Sequence, residues 1–450
     1  MTQTLGKRQR ARIATILLVA SFISLMSQTM MVTALPVIQE ELHQSLAVVQ
    51  WLTTGYTLLI GVITPLSANL YEKYPNRQFY LAIITLFLVG TLVGTFANSF
   101  WTLLLARLIQ AAAGGLLVAF QMTTVVSIYP PEQRGMIMGL SSLVVSFGPA
   151  IGPTLAGVII KSWGWRSIFW SVLPFMLVCW LFGYFALPNY TTPKPESRLD
   201  PLSVITLLVG PGMALASLSV MTTHLAVGLA LLVVGSLVSL VFYRRQRQLK
   251  APLLDFGVFS YRAFRLMLAV ATLIFMALLA TEQMFSIFAQ NSLHLSSSLT
   301  GLVLLPGALF NALAGAFIGR IYDQHGVKGV TTVGLVIAIA CSVPPLFWTA
   351  HTSALTLTLL YAGRFLGIGI AFSPVMSESY RGLPHAAISQ ATAMNNALRQ
   401  SLGALAVTVT VVISSLPSSA ISGMRWAMAF TLGLVVAAGL LFWAYLAKEG

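Results

Sequence analysis

Long apolar runs dominate the chain, separated by short polar connections. Fourteen runs of about 20 residues can be marked, over 13–37, 50–70, 79–97, 101–127, 136–160, 168–187, 202–221, 225–243, 264–290, 298–322, 329–348, 353–376, 389–413 and 424–446. Each is long enough for a helix to cross a hydrocarbon core of about 30 Å. The runs are continuous and do not alternate polar with apolar in ten-residue pieces, so they predict helices and not barrel strands. No connection is long enough to hold a separate soluble domain. Lys7, Arg8, Arg10 and Arg12 before the first run resemble the start of a signal peptide. The apolar stretch is too long for one and no small-residue cleavage site follows, so an uncleaved helix is expected.

Composition agrees. Of 450 residues, 57% are apolar and 8% charged, and the mean hydropathy is +0.86. A soluble domain carries about 25% charged residues, so a soluble enzyme, a disordered chain and a disulfide scaffold are all excluded. The expected fold class is an all-α polytopic membrane protein, because lipid offers no partner to an open backbone. Cys179 and Cys341 each lie inside an apolar run, which suits neither a disulfide framework nor a metal site.

The net charge of +14 has a topological explanation. With the N-terminus placed in the cytoplasm and the spans alternating, nineteen Lys and Arg fall on the cytoplasmic side and three outside. Arg107, Arg364 and Arg399 lie within spans. The positive-inside rule then puts both termini of a multi-pass membrane protein in the cytoplasm; a bacterial cell membrane is the expected location. The basic run from Arg244 to Lys250 is expected to be a cytoplasmic loop beside anionic lipid, not a nucleic-acid surface.

An internal repeat divides the chain. Glu72, Lys73, Pro75 and Arg77 follow the second span, as Asp323, Gly326 and Lys328 follow the tenth. Two spans later come Arg107-Leu-Ile-Gln110 and Arg364-Phe-Leu-Gly367. The expected organisation is a six-helix half over 1–190, an inserted helix pair over 191–250 and a second six-helix half over 251–450. Two such halves around a midplane site are a transporter architecture.

Further motifs point to a family. Gly148-Pro149-Ala-Ile-Gly152-Pro153 lies in span 5, Trp165-Arg166-Ser-Ile-Phe169 opens span 6, and Asn395-Asn-Ala-Leu-Arg399-Gln-Ser-Leu-Gly403 lies in span 13. With Arg107 and Gln110, they resemble in order the 14-helix drug:proton antiporters of the major facilitator superfamily. The resemblance covers nearly the whole chain. It implies the major facilitator fold and proton-coupled export of lipophilic, cationic drugs or toxic compounds by alternating access. The related alternative is export of an endogenous metabolite, lipid or siderophore. It also ties Arg107 to proton coupling. Glu72, Arg77, Asp323 and Lys328 are expected to form cytoplasmic charge relays, and Gly148, Pro149, Gly152 and Pro153 a bent, tightly packed span. One departure stands out. The family opens span 1 with an acidic residue where this chain has Ser27, followed by Gln28 and Thr29.

With no carboxylate there, attention moves to Glu282 in span 9. An ionisable group inside a span costs about 2.5–3.5 kcal/mol on insertion scales and is functional by default. Ser286 and Gln290 follow at helical spacing, with Gln283 and Asn291 close by, so a polar stripe should face a central cavity. A carboxylate that takes either a proton or a cation is the minimum machine for antiport. Glu282 is therefore expected to carry the proton and, with Gln283, Ser286, Gln28, Asn395 and Arg399, to meet substrate. No enzyme motif, nucleotide loop or metal cluster occurs in the sequence. No cofactor is expected beyond the proton gradient. The partners are small lipophilic molecules, protons and membrane lipids, with no nucleic acid and a monomer as the working unit.

Overall fold

The computed structural model describes residues 6–190, 200–221, 224–249 and 252–447. Among the described residues the chain is helical and contains no strand. Fourteen long helices follow one another: α1 Lys7–Glu41, α2 Trp51–Lys73, α3 Asn76–Thr95, α4 Phe100–Ile128, α5 Pro131–Trp163, α6 Ser167–Ala186, α7 Pro201–Met221, α8 Leu225–Gln248 and α9 Arg262–Ile287. Next, Ser297–Ala340 contains two helices, α10 over 297–325 and α11 over 327–340. They are broken at Gly326, whose φ of 71° and ψ of 177° only glycine adopts without strain. Then come α12 Ala354–Ser379, α13 His385–Ser415 and α14 Ala420–Leu446. Among the described residues thirteen segments are long and apolar enough to cross a membrane, and the 33-residue α5 completes the fourteen helices.

Local chemistry sets several helix starts. Ser99, Ser296 and Ser353 accept from the N–H three residues on, at 3.2, 3.3 and 3.1 Å, as N-cap side chains do. Asp200 does the same for α7 through the Ser203 N–H at 3.0 Å.

α1, α3, α4, α5 and α6 share the largest apolar core, around Tyr80, Phe87, Phe120 and Trp165. A second core joins α9, α11, α12, α13 and α14. α7 and α8 pack chiefly on each other, and α7 also touches α2 and α13. Leu215 of α7 meets Leu58 of α2 and Ala404 of α13. α8 lies outermost: its most apolar stretch has a mean hydropathy of 2.7 yet is only 17% buried, the pattern of a helix solvated by lipid.

One polar site differs from the sequence expectations. Arg244, Arg245 and Arg247 lie in the last turns of α8, not in a loop. Arg245 forks onto Asp200 at 2.6 and 2.7 Å, which ties the end of α8 to the start of α7 and prolongs the helix. Lys250 lies outside the described residues. At the other end, Glu41 of α1 is held by two donors at the start of α6. It accepts from Arg166 at 2.5 Å and from the Trp165 indole at 2.8 Å, closing α1 onto α6.

Candidate transport site

α5 is held to α1 through its prolines. Pro153 has no N–H, so the Pro149 carbonyl four residues earlier loses its helix partner. Thr29 Oγ1 on α1 donates to that carbonyl at 3.1 Å. Thr33 donates to the Pro153 carbonyl at 3.3 Å. A Cβ at Gly148 would stand 3.0 Å from the Phe22 carbonyl, and one at Gly152 2.7 Å from that of Met26. The four residues thus join two helices by close backbone approach.

The first and last six helices meet at the end where α1 stops and α10 begins. Four hydrogen bonds from side chains to backbone carbonyls cross there among the described residues. Ser286 donates to the Val32 carbonyl at 3.2 Å, Gln290 to that of Thr33 at 3.1 Å, Thr154 to that of Gly301 at 2.8 Å and Ser298 to that of Gly157 at 2.8 Å. Gly157 and Gly301 allow this. A Cβ on Gly301 would lie 2.7 Å from the Pro153 carbonyl oxygen and the Thr154 Cα. Deeper in, a Cβ on Gly61 of α2 would lie 2.9 Å from Gln400 Cβ of α13.

Behind this seam lies a cavity of about 40 Å³, lined by Gln28, Thr29 and Val32 of α1, Thr53, Thr54 and Thr57 of α2, Leu279, Glu282 and Gln283 of α9, and Val407 of α13. It has room for a few waters and must widen to admit a drug-sized molecule. Glu282 is 9% exposed, and no salt bridge reaches it among the described residues. Thr53 Oγ1 is 3.5 Å from Gln283 Oε1. A larger groove, about 510 Å³, lies between α1 and α6 beside Arg12 and Phe182 and is apart from this site.

Arg107 of α4 is buried behind the wall of the cavity. Its Nε donates to the Leu52 carbonyl at 3.3 Å, Nη1 to the Ser27 carbonyl at 3.4 Å and to Gln110 Oε1 at 2.9 Å, and Nη2 to the Gln28 carbonyl at 3.2 Å. The guanidinium carbon lies 4.1 Å from the Tyr56 ring centroid. Gln110 passes the network to Thr91 of α3 at 2.9 Å. Arg107 therefore ties α1, α2 and α4 together just behind Gln28.

The sequence-predicted residues separate. Glu282, Gln283 and Gln28 come together at the cavity. Ser286 is fully buried and engaged in the seam. Asn395 is 1% exposed and points its amide nitrogen at Met376 and the Tyr380 hydroxyl. Arg399 lies beside Phe275 and Phe372. The expected charge relays take another form where they are described. Arg77 bonds the Tyr184 carbonyl and lies 5.0 Å from that ring, and Lys328 lies 5.7 Å from the Trp443 ring. Both hold their own helices to a neighbour through an aromatic. The side chains of Glu72 and Asp323 lie outside the described residues. Glu378, buried near the end of α12, accepts from Arg381 at 2.9 Å, Tyr445 at 2.8 Å and Tyr322 at 3.1 Å.

Sequence reasoning missed the threonines of the cavity wall. Thr53, Thr54 and Thr57 share one side of α2 by helical spacing, and such a polar stripe inside an apolar run was the available signal.

Long membrane-crossing helices packed around a buried polar site have the architecture of a membrane transporter. The Major Facilitator Superfamily model matches residues 17–408, and the chain belongs to that family. It is 37% identical over 409 residues to the MFS-type transporter YcnB of Bacillus subtilis, spanning 90% of this chain and 86% of that one. It is 34% identical over 406 residues to the lincomycin resistance protein LmrB of Listeria monocytogenes, spanning 88% and 85%. Among solved structures, a POT family transporter in complex with 5-aminolevulinic acid superposes with a TM-score of 0.71 at 16% identity, over 95% of this chain and 96% of that one. The protein is thus a multi-span membrane transporter of small molecules and not an enzyme.

Proposed function

We propose that the protein is a proton-coupled exporter of lipophilic, cationic compounds. The observation that carries this reading is Glu282: a buried carboxylate without a salt-bridge partner among the described residues, facing a cavity between α1, α2, α9 and α13. In such a place a carboxylate is neutralised either by a proton or by a cationic substrate, and exchange of one for the other is antiport. The resistance function in the name of the LmrB relative supports a drug as cargo.

In this reading, residues 1–190 and 251–450 are two halves that rock about the site, and 191–250 forms an inserted pair. The basic end of the bundle faces the cytoplasm with both termini, in a bacterial cell membrane. The proton gradient alone drives transport, and one copy of the chain suffices. Arg107 keeps the α1 wall in register and so couples protonation of Glu282 to the shape of the cavity. Each conformer is favoured only by what binds it better.

Glu282→Gln tests this. It keeps the side chain's shape and mimics the protonated state. In proteoliposomes the variant is expected to fold and to lose pH-gradient-driven efflux of tetraphenylphosphonium by at least about tenfold. Efflux equal to the parent's places the proton on another residue.

A further inference from the structure

We infer that the preferred substrate is bipolar: an amine for Glu282 and, on the order of 10 Å away, an anionic or acceptor-rich group for Arg399. The inference rests on the reading of Glu282 given above and adds a second pole to it.

α9 and α13 run side by side along the cavity. At one level Arg399 meets Phe275, with 4.7 Å from guanidinium carbon to ring centroid. One turn on, a Cβ at Gly403 would lie 2.8 Å from Leu279 Cδ1. A further turn on, Val407 lines the same cavity as Leu279 and Glu282. The α9–α13 seam is packed between Arg399 and Glu282, so a substrate spans the two only where these helices part and the cavity extends along the seam. Seven residues of α9 separate Phe275 from Glu282, which at 1.5 Å each gives on the order of 10 Å.

Arg399 has donors to spare. Its guanidinium occupies the corner between Phe275 and Phe372, the latter at 5.3 Å, with the two rings 6.5 Å apart. The aromatic π faces steady the cation without supplying hydrogen-bond acceptors of the usual strength. Nε has no hydrogen-bond partner, and Nη2 makes one long bond, 3.4 Å, to Asn396 Oδ1. No carboxylate pairs with Arg399 among the described residues. A planar guanidinium with free in-plane donors is suited to a carboxylate, a phosphate or a row of carbonyl and hydroxyl oxygens. Leu279 and Val407, between the poles, suit an apolar middle.

The rule for cargo follows. A plain lipophilic cation satisfies Glu282 alone and leaves the Arg399 charge facing apolar substrate in low dielectric. A bipolar molecule satisfies both, and the two charges of the site cancel.

The experiment uses two probes on the purified full-length protein: a tertiary amine carrying an aryl carboxylate about 10 Å away, and the same amine with methyl in place of the carboxylate. Equilibrium binding by the parent should favour the carboxylate by about tenfold or more, the scale of a hydrogen bond to a charged group. Arg399→Gln should erase that preference by weakening the carboxylate probe, while the methyl probe binds at least as well as to the parent because an unpaired buried charge has gone. Arg399→Lys should restore part of it, since the charge returns without the planar fork. Glu282→Gln should weaken both probes alike. Absence of the preference in the parent overturns the inference without any variant. So does a preference that survives Arg399→Gln, or an Arg399→Gln loss equal for both probes, which marks a purely structural arginine. Failure of the Glu282 reading shows separately, as methyl-probe binding untouched by Glu282→Gln.

Discussion

Arg107 in α4 and Arg364 in α12 occupy corresponding places in the sequence repeat, both are fully buried, and their surroundings differ in kind. Arg107 makes four hydrogen bonds and lies over Tyr56. Arg364 has all three guanidinium nitrogens without a hydrogen-bond partner. The residue three positions on separates the two cases. Gln110 offers its oxygen to Arg107 and its nitrogen to Thr91. Gly367 offers nothing, and instead lets α11 come so near that a Cβ there would stand 2.6 Å from the Ala338 nitrogen and the Gly334 carbonyl oxygen. One position thus decides between a polar clamp and a backbone contact. An arginine with spent donors is a fastener, whereas one with unspent donors has something to gain from another arrangement of the helices.

The largest expected effect tests that contrast directly. Arg107→Ala should lower the melting temperature of the detergent-purified protein, by the equivalent of roughly 3 kcal/mol, because several buried acceptors lose their donor. Dye efflux should fall about tenfold or more. Arg364→Leu should leave the melting temperature unchanged or raise it, since it removes a buried charge that lacks compensation. Equal losses in the two variants would erase the distinction.

A middle-sized effect sharpens it. Gln110→Leu should cost about 1–3 kcal/mol by leaving Arg107 Nη1 and Thr91 short of a partner. Gly367→Gln, which places the polar residue of one site into the other, should cost a similar amount for a different reason, overpacking against α11. Thermal denaturation of both variants, each combined with the leucine substitution of its own arginine, separates the mechanisms. The Gln110 loss should shrink in Arg107→Leu, and the Gly367 loss should persist in Arg364→Leu.

The smallest effect belongs to an ion pair at the surface. The Arg245 guanidinium and the Ser203 hydrogen bonds hold the Asp200 carboxyl well below the usual carboxylate range. A depressed folded-state value contributes stability that is present above the unfolded value, near pH 4, and is lost as pH falls further. Asp200→Asn should therefore cost about 1 kcal/mol or less, by the same amount at pH 5 and pH 8. A difference that varies between pH 5 and pH 8 would contradict the assignment.

The helices were legible because lipid leaves little choice: an apolar run of 20 residues must bond its own backbone. Glu282 was legible for the same reason, being costly wherever it stands in such a run. What the order of residues did not disclose was company. Phe275 and Phe372 meet Arg399 from two other helices, and Thr29 reaches Pro149 across 120 positions. The end of α8 was misjudged because charged residues read as loop, while Asp200, at the other end of the helix pair, supplies the counter-charge that keeps them helical. The Arg107–Arg364 contrast was half visible in Gln110 against Gly367, but only packing shows that the glycine admits α11.

The seam between Gly157 and Gly301 has an electrical consequence. Its four hydrogen bonds run from hydroxyls and one amide to carbonyls, with no ion pair among the described residues. At about 1 kcal/mol each, parting them takes on the order of 4 kcal/mol. One elementary charge falling through 150 mV releases about 3.5 kcal/mol. The hydrogen-bond part of this latch is thus matched by the work of about one charge at an ordinary resting voltage.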